Sequence, residues 1–221
     1  MSKNQLHGKT FEGEVIKRCF GVPEEQVQSF KSTAVFDIPF GVVTCQHPTG
    51  EPVSIKTAAV KAARNAATVC LSDARRVWTW DRPLILVVGL YEQVDGKKVF
   101  HTVYEFHFCL NQSERLRLYG TLSYQEVANF HETLGTFGAG RHAAARVWAK
   151  NQKKLLETRC GVIQLNAKID SKTQRRLQCS APLPGLVASC EKTLCYSQES
   201  TGDYRGLSLP YAVASSSREF N

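Results

Sequence analysis

Asp37 is the only charged side chain in residues 33–41 (TAVFDIPFG), an apolar stretch that reads as a buried strand ending near Pro39. An ionised carboxylate in such a place is costly unless a cation or a metal accompanies it. After the turn-rich His47-Pro48-Thr49-Gly50-Glu51-Pro52, residues 53–57 form a second short strand. Its period of two puts Ser54 and Lys56 on one face and Val53 and Ile55 in the core. If the two strands pair as a long-looped hairpin, Asp37 and Lys56 meet at their ends. A third group comes from an opening helix, residues 8–20, where Phe11, Val15, Ile16, Cys19 and Phe20 recur at helical spacing. Glu12 lies on the flank of Ile16 and Cys19 and faces inward, whereas Glu14 is set to pair with Arg18 at i+4. Two chemistries suit an acid, a lysine and a second acid so placed: hydrolysis assisted by a divalent cation, or an ordinary buried Asp37–Lys56 ion pair.

An acid on one strand, Ser54-Ile55-Lys56 on the next and Glu12 in a leading Gly-x-x-Phe-Glu segment resemble the PD-(D/E)xK nuclease superfamily. The likeness covers roughly residues 8–108, and the layout is similar to a Type II restriction endonuclease. The resemblance implies an α/β fold with a restriction-endonuclease-like mixed central sheet flanked by helices. It also implies Mg²⁺ held by Asp37, by Glu12 directly or through water, and by the Ile55 carbonyl. Lys56 would orient the attacking water, and cleavage would leave a 5′-phosphate and a 3′-hydroxyl. Ser54 stands where the family usually has its second acid. Some members draw that carboxylate from the following helix, but residues 58–66, Ala-rich and read here as helical, contain no Asp or Glu. The missing carboxylate is left unassigned.

The elements downstream carry the charge. The chain has 28 Lys+Arg against 20 Asp+Glu, a formal +8. Residues 141–176 hold ten of those cations (Arg141, Arg146, Lys150, Lys153, Lys154, Arg159, Lys168, Lys172, Arg175, Arg176) and two acids (Glu157, Asp170), so the rest of the chain is balanced. The segment reads as a helix, 141–158, then a hairpin of strands 161–169 and 174–180 turning at Asp170-Ser171-Lys172. A basic helix face and a β-ribbon both fit the major groove of duplex DNA. Asn166, Lys168, Lys172, Arg175, Arg176 and Gln178 are the hairpin candidates, with Arg146, Lys150 and Lys153 from the helix. The alternative is a solvated charged face.

Between these segments the sequence predicts a short strand at 68–71, a Ser72-capped helix over 73–78, a buried strand at 84–91 and an Asp95-Gly96 turn into strand 99–110. A Ser123/Glu126 capping box opens a helix to about residue 134, and residues 135–140 break it. On helix 141–158, Ala144, Val147, Trp148, Asn151 and Leu155 share a stripe. His101, Glu105 and His107 alternate with aromatic residues and are expected to face solvent. The eight cysteines follow no zinc-ligand spacing and read as reduced thiols. With no signal-like N-terminus and no apolar run near 20 residues, the expectation is a cytoplasmic protein without a membrane segment. The chain reads as one domain: a catalytic core over 1–110, a DNA-recognition region over 123–180 and an irregular covering segment over 181–221. The expected partners are double-stranded DNA and, for a palindromic site, a second copy in a homodimer. The rival readings are a repair or junction-resolving nuclease and an inactive DNA-binding protein on the same scaffold.

Overall fold

The structure is a computed structural model that describes residues 10–30, 35–60, 67–170 and 174–214. In chain order, a π-helical segment Val15–Cys19 continues α-helical residues 10–14 and is followed by α1 (Glu24–Ser29), β1 (Val53–Ala59), β2 (Thr68–Asp73) and α2 (Ala74–Trp78). Next come β3 (Leu84–Val94), β4 (Lys97–Phe108), α3 (Gln112–Tyr119), α4 (Tyr124–Gly135) and α5 (His142–Glu157). The chain closes with β5 (Gln164–Ile169), β6 (Arg175–Pro182), α6 (Leu183–Ser189), β7 (Lys192–Ser197), β8 (Asp203–Tyr204), β9 (Leu207–Ser208) and β10 (Tyr211–Ala214). The protein is mixed α/β and divides into two compact units, each drawn from separated stretches: Met1–Ala67, Pro83–Phe108 and Cys190–Asn221 in one, Thr68–Arg82 and Cys109–Ser189 in the other.

The first unit is built on a mixed sheet. β1 runs parallel to β3, β3 antiparallel to β4, and β7 and β10 both pair with β4, along different stretches of it. Asp95 and Gly96, at φ +48° and +70°, turn β3 into β4 as the sequence requires. The N-terminal helix buries Phe11, Val15, Ile16, Cys19 and Phe20 in one cluster with Val53, Ile55, Ile85, Val87, Phe100 and Val103 of the sheet. Gly89 makes that approach possible: a Cβ there would lie 2.6 Å from the Phe11 ring, which stacks on Phe100 with centroids 4.1 Å apart. Glu14 pairs with Arg18 at 2.6 Å, as helical spacing demands.

The second unit centres on an antiparallel sheet in the order β2-β6-β5. Its buried face is Val69, Leu71, Leu165, Leu177, Cys179 and Ala181. Helices α2 and α4 pack on β6, and α5 lies along the edge strand β5. The Ser123/Glu126 capping box forms and opens α4.

Several sequence expectations shift. Residues 35–41, the described part of the expected strand 33–41, are not a strand: they make one bridge, Ile38 to Val53. Pro39 has no N–H to continue a ladder, and Gly41, at φ +85°, turns the chain so that its N–H reaches the Gly50 carbonyl. Ala58 and Ala59, read as helix, instead extend β1 opposite Leu90 and Tyr91, and residues 61–66 lie outside the described set. Asp73, not Ser72, caps α2 by accepting from the Arg75 N–H at 3.0 Å. α3, capped by Asn111, was not foreseen. Residues 183–214, expected to be irregular, contain α6 and four strands, two of them in the main sheet. On α5 the buried positions are Ala145 and Ala149, while Val147 and Leu155 are exposed, because only a small-residue face lets a helix approach an edge strand closely.

Candidate active site

The Ile38–Val53 bridge fixes Asp37 at the start of β1. Val53 N–H donates to the Ile38 carbonyl at 2.9 Å, and its own carbonyl accepts from the N–H groups of Asp37 (2.9 Å) and Ile38 (3.0 Å). From there the Asp37 side chain turns along the outer edge of β1. Its Oδ2 accepts from Ile55 N–H at 2.5 Å, from Lys56 Nζ at 3.1 Å and, at the limit of contact, from Ser54 Oγ at 3.5 Å. Lys56 Nζ also donates to the Ile55 carbonyl at 2.9 Å. The ammonium thus bridges a carboxylate and a backbone carbonyl, the two hard oxygens that the sequence resemblance assigns to a metal. Both side chains are about four-fifths buried, at 20% and 21% exposure, which makes the pair stronger than a surface ion pair while leaving a path from solvent.

Of the other expected members, Ser54 is buried beside the pair. Glu12 sits half-buried on the N-terminal helix and is not among the partners of Asp37. Among the described residues no group of three or more His, Cys, Asp and Glu side chains converges as a metal cage. The donor chemistry nonetheless suits Mg²⁺, which takes hard oxygens, retains several waters, and is often held by one or two carboxylates plus substrate phosphate.

The same unit holds a polar cluster that the sequence reading placed in solvent. Glu105 is fully buried, and it accepts a fork from Arg205 (Nε to Oε2 at 2.8 Å, Nη2 to Oε1 at 2.7 Å), the Tyr204 hydroxyl at 2.7 Å, and His107 Nε2–H at 2.7 Å. Burial would push this carboxyl up, but the bonds from His107 and Arg205 overcome it and hold Glu105 at about 2. Arg205 also donates to the Gln46 carbonyl at 2.9 Å and lies over the Phe20 ring. Burial pushes the Tyr204 hydroxyl well above its usual range, so the phenol stays a donor. A bulge hid this cluster. Leu90 is opposite Thr102 and Tyr91 opposite Phe100, so His101 is an extra residue, and the faces of β4 change phase there. Phe100, Val103 and Glu105 consequently share the core face.

In the second unit the basic candidates separate into two groups. Arg175 is spent on structure: its side chain is 4% exposed and donates to the carbonyls of Phe137 (3.1 Å), Gly138 (3.2 Å), Asp170 (3.0 Å) and Gln174 (2.8 Å). Arg146 donates to the Ile169 carbonyl at 3.2 Å, and Lys153 to Asn166 Oδ1 at 3.1 Å. Asn166 gives its Nδ2 to Ser180 Oγ at 2.8 Å, so both ends of that amide are engaged. Lys150, Lys168 and Arg176 are exposed, Gln178 is half-buried, and Lys172 lies outside the described residues. No helix among the described residues is long and apolar enough to cross a membrane. No family model, curated protein or solved structure matches this chain.

Proposed function

We propose that the chain is a Mg²⁺-dependent nuclease that hydrolyses phosphodiesters of double-stranded DNA to 5′-phosphate ends, in the manner of a Type II restriction enzyme. One observation carries the reading: Asp37, Ile55 and Lys56 converge so that an ammonium lies 3.1 Å from a carboxylate oxygen and 2.9 Å from a carbonyl oxygen. Asp37 and the Ile55 carbonyl are the groups that would hold the cation. Bound there, Mg²⁺ supplies a more acidic water and offsets charge on the pentavalent transition state. Asp37 is kept in place by the Ile55 N–H, a donor fixed on the backbone of β1. Lys56 carries three donors, two of them engaged here by Asp37 and Ile55; displaced from those oxygens by the cation, they would be free to orient a water or a phosphate oxygen.

Ser54 in place of a second acid favours one further reading, a DNA-binding protein that has lost cleavage. Supercoiled plasmid incubated with the protein and Mg²⁺ separates the possibilities. Discrete fragments are the outcome expected of a restriction enzyme; structure-dependent nicks indicate a junction or repair nuclease, and a salt-sensitive mobility shift alone indicates a binding module. Asp37→Asn and Lys56→Ala are each expected to reduce cleavage at least a hundredfold, on the scale of lost charge stabilisation of a transition state. Wild-type rates in both variants remove the site. A palindromic cut site would further call for a two-fold dimer, measured by sedimentation with and without DNA.

A further inference from the structure

We infer that the exposed face of the β5–β6 ribbon is the surface that enters the major groove of duplex DNA, with Lys168 and Arg176 as its phosphate clamp and Gln178 as its base reader. The inference rests on the nuclease reading for its choice of polyanion, but its geometry is independent of the Asp37 site.

The ribbon has a defined front and back. Register places Lys168 opposite Arg176 and Asn166 opposite Gln178, and Leu165, Leu177 and Cys179 are buried on the other face. β2 pairs with β6 only over Gln178–Pro182, so the end carrying Lys168 and Arg176 projects as a two-stranded ribbon. That is the width a major groove admits. From behind, Arg175 ties β6 to the carbonyls of Phe137 and Gly138, and Arg146 ties β5 through Ile169. A ribbon braced in this way loses little conformational freedom on binding.

Its front carries two like charges directly opposed across the strands, an arrangement that is destabilising until an anion lies against it. The next pair is asymmetric. Lysine has no acceptor, so Lys153 must meet Asn166 Oδ1, and Ser180 takes the Nδ2; Asn166 is thereby committed. Among the described residues, the hydrogen bond to the Gln178 side chain is a weak one, from the Cys70 thiol 3.9 Å from Oε1. Its amide therefore keeps a donor and an acceptor, the pair that matches N6 and N7 of adenine. B-form DNA is the partner that fits, because the deep, narrow major groove of A-form RNA does not admit a ribbon.

The test is anisotropy binding of the full chain in EDTA to a 20-bp duplex DNA and to the RNA duplex of the same sequence, across a salt series. DNA is expected to be preferred, and Lys168→Gln with Arg176→Gln is expected to lower the slope of log affinity against log salt by about 2, near 0.9 per lost phosphate contact. Gln178→Ala is expected to leave that slope unchanged and, in selections from a randomised DNA pool, to erase an adenine preference of about tenfold to a hundredfold. Failure to bind DNA, equal binding of RNA, or an unchanged slope in the double variant overturns the surface; an adenine preference that survives Gln178→Ala overturns the base reader. Because no metal is present, loss of cleavage with these results intact refutes the nuclease reading alone.

Discussion

Lys56 occupies the position its own chemistry would have to vacate. Its ammonium lies between the two oxygens that would receive a divalent cation, so any metal arriving there competes with a tethered charge already neutralising Asp37. Removing that charge without removing volume is informative: Lys56→Met is expected to bind Mg²⁺ severalfold more tightly by calorimetry while losing cleavage, because the carboxylate then has no internal counter-ion. Unchanged or weaker binding would mean that the ammonium and the metal do not share a position. The pair itself was legible in the sequence for a simple reason. A lone acid in an apolar segment must find a partner, and period-two spacing put Lys56 on the polar face beside Ser54. What the sequence could not show was that Asp37 is held by a backbone N–H of Ile55, because that depends on one bridge, Ile38 to Val53, and not on a paired strand. Glu12 is half-buried on the N-terminal helix, and the groups that bond Asp37 are Ser54, Ile55 and Lys56 instead.

At the scale of elements, one extra residue separates what alternation shows from what it conceals. His101 puts β4 out of phase, so Glu105 shares a face with Phe100, and beyond the bulge both faces are buried; the acid's partner, Arg205, lies 100 residues later in the chain. Three of the four strands near the C-terminal end were hidden for a related reason: β8 and β9 span two residues each and β10 four, too short to display a period. The Glu105 cluster fastens the Tyr204–Leu207 turn to β4, and it makes stability depend on acid in a definite direction. Its folded value, about 2, lies below the ordinary 4.5, so its contribution is complete above pH 4.5 and is lost as pH falls toward 2. The shift corresponds to roughly 3 kcal/mol. Urea unfolding at pH 6.5 and pH 3 is the measurement: Glu105→Gln is expected to be less stable than the wild type at the higher pH, with the gap narrowing at the lower. A gap of equal size at both would show that Glu105 is not held in its ionised form by the fold.

Across the whole molecule, charge follows the two units. The unit formed by Met1–Ala67, Pro83–Phe108 and Cys190–Asn221 contains 13 Lys+Arg and 13 Asp+Glu, and the other 15 and 7, so the entire +8 belongs to the unit that lacks Asp37 and Lys56. If the proposed nuclease reading holds, a neutral unit carrying Asp37 and Lys56 and a cationic unit carrying the ribbon predict a particular division of salt effects. Counterion release acts on association, and a pair such as Asp37–Lys56, about four-fifths buried, is screened much less than exposed cations. Raising salt from about 50 to 200 mM is therefore expected to increase KM for DNA steeply, by tenfold or more for two or more phosphate contacts. Single-turnover cleavage of saturating DNA should change less than twofold over the same range. A cleavage rate that falls in parallel with affinity would instead put the screened cations at the scissile phosphate, and the division between a binding unit and a cutting unit would not stand.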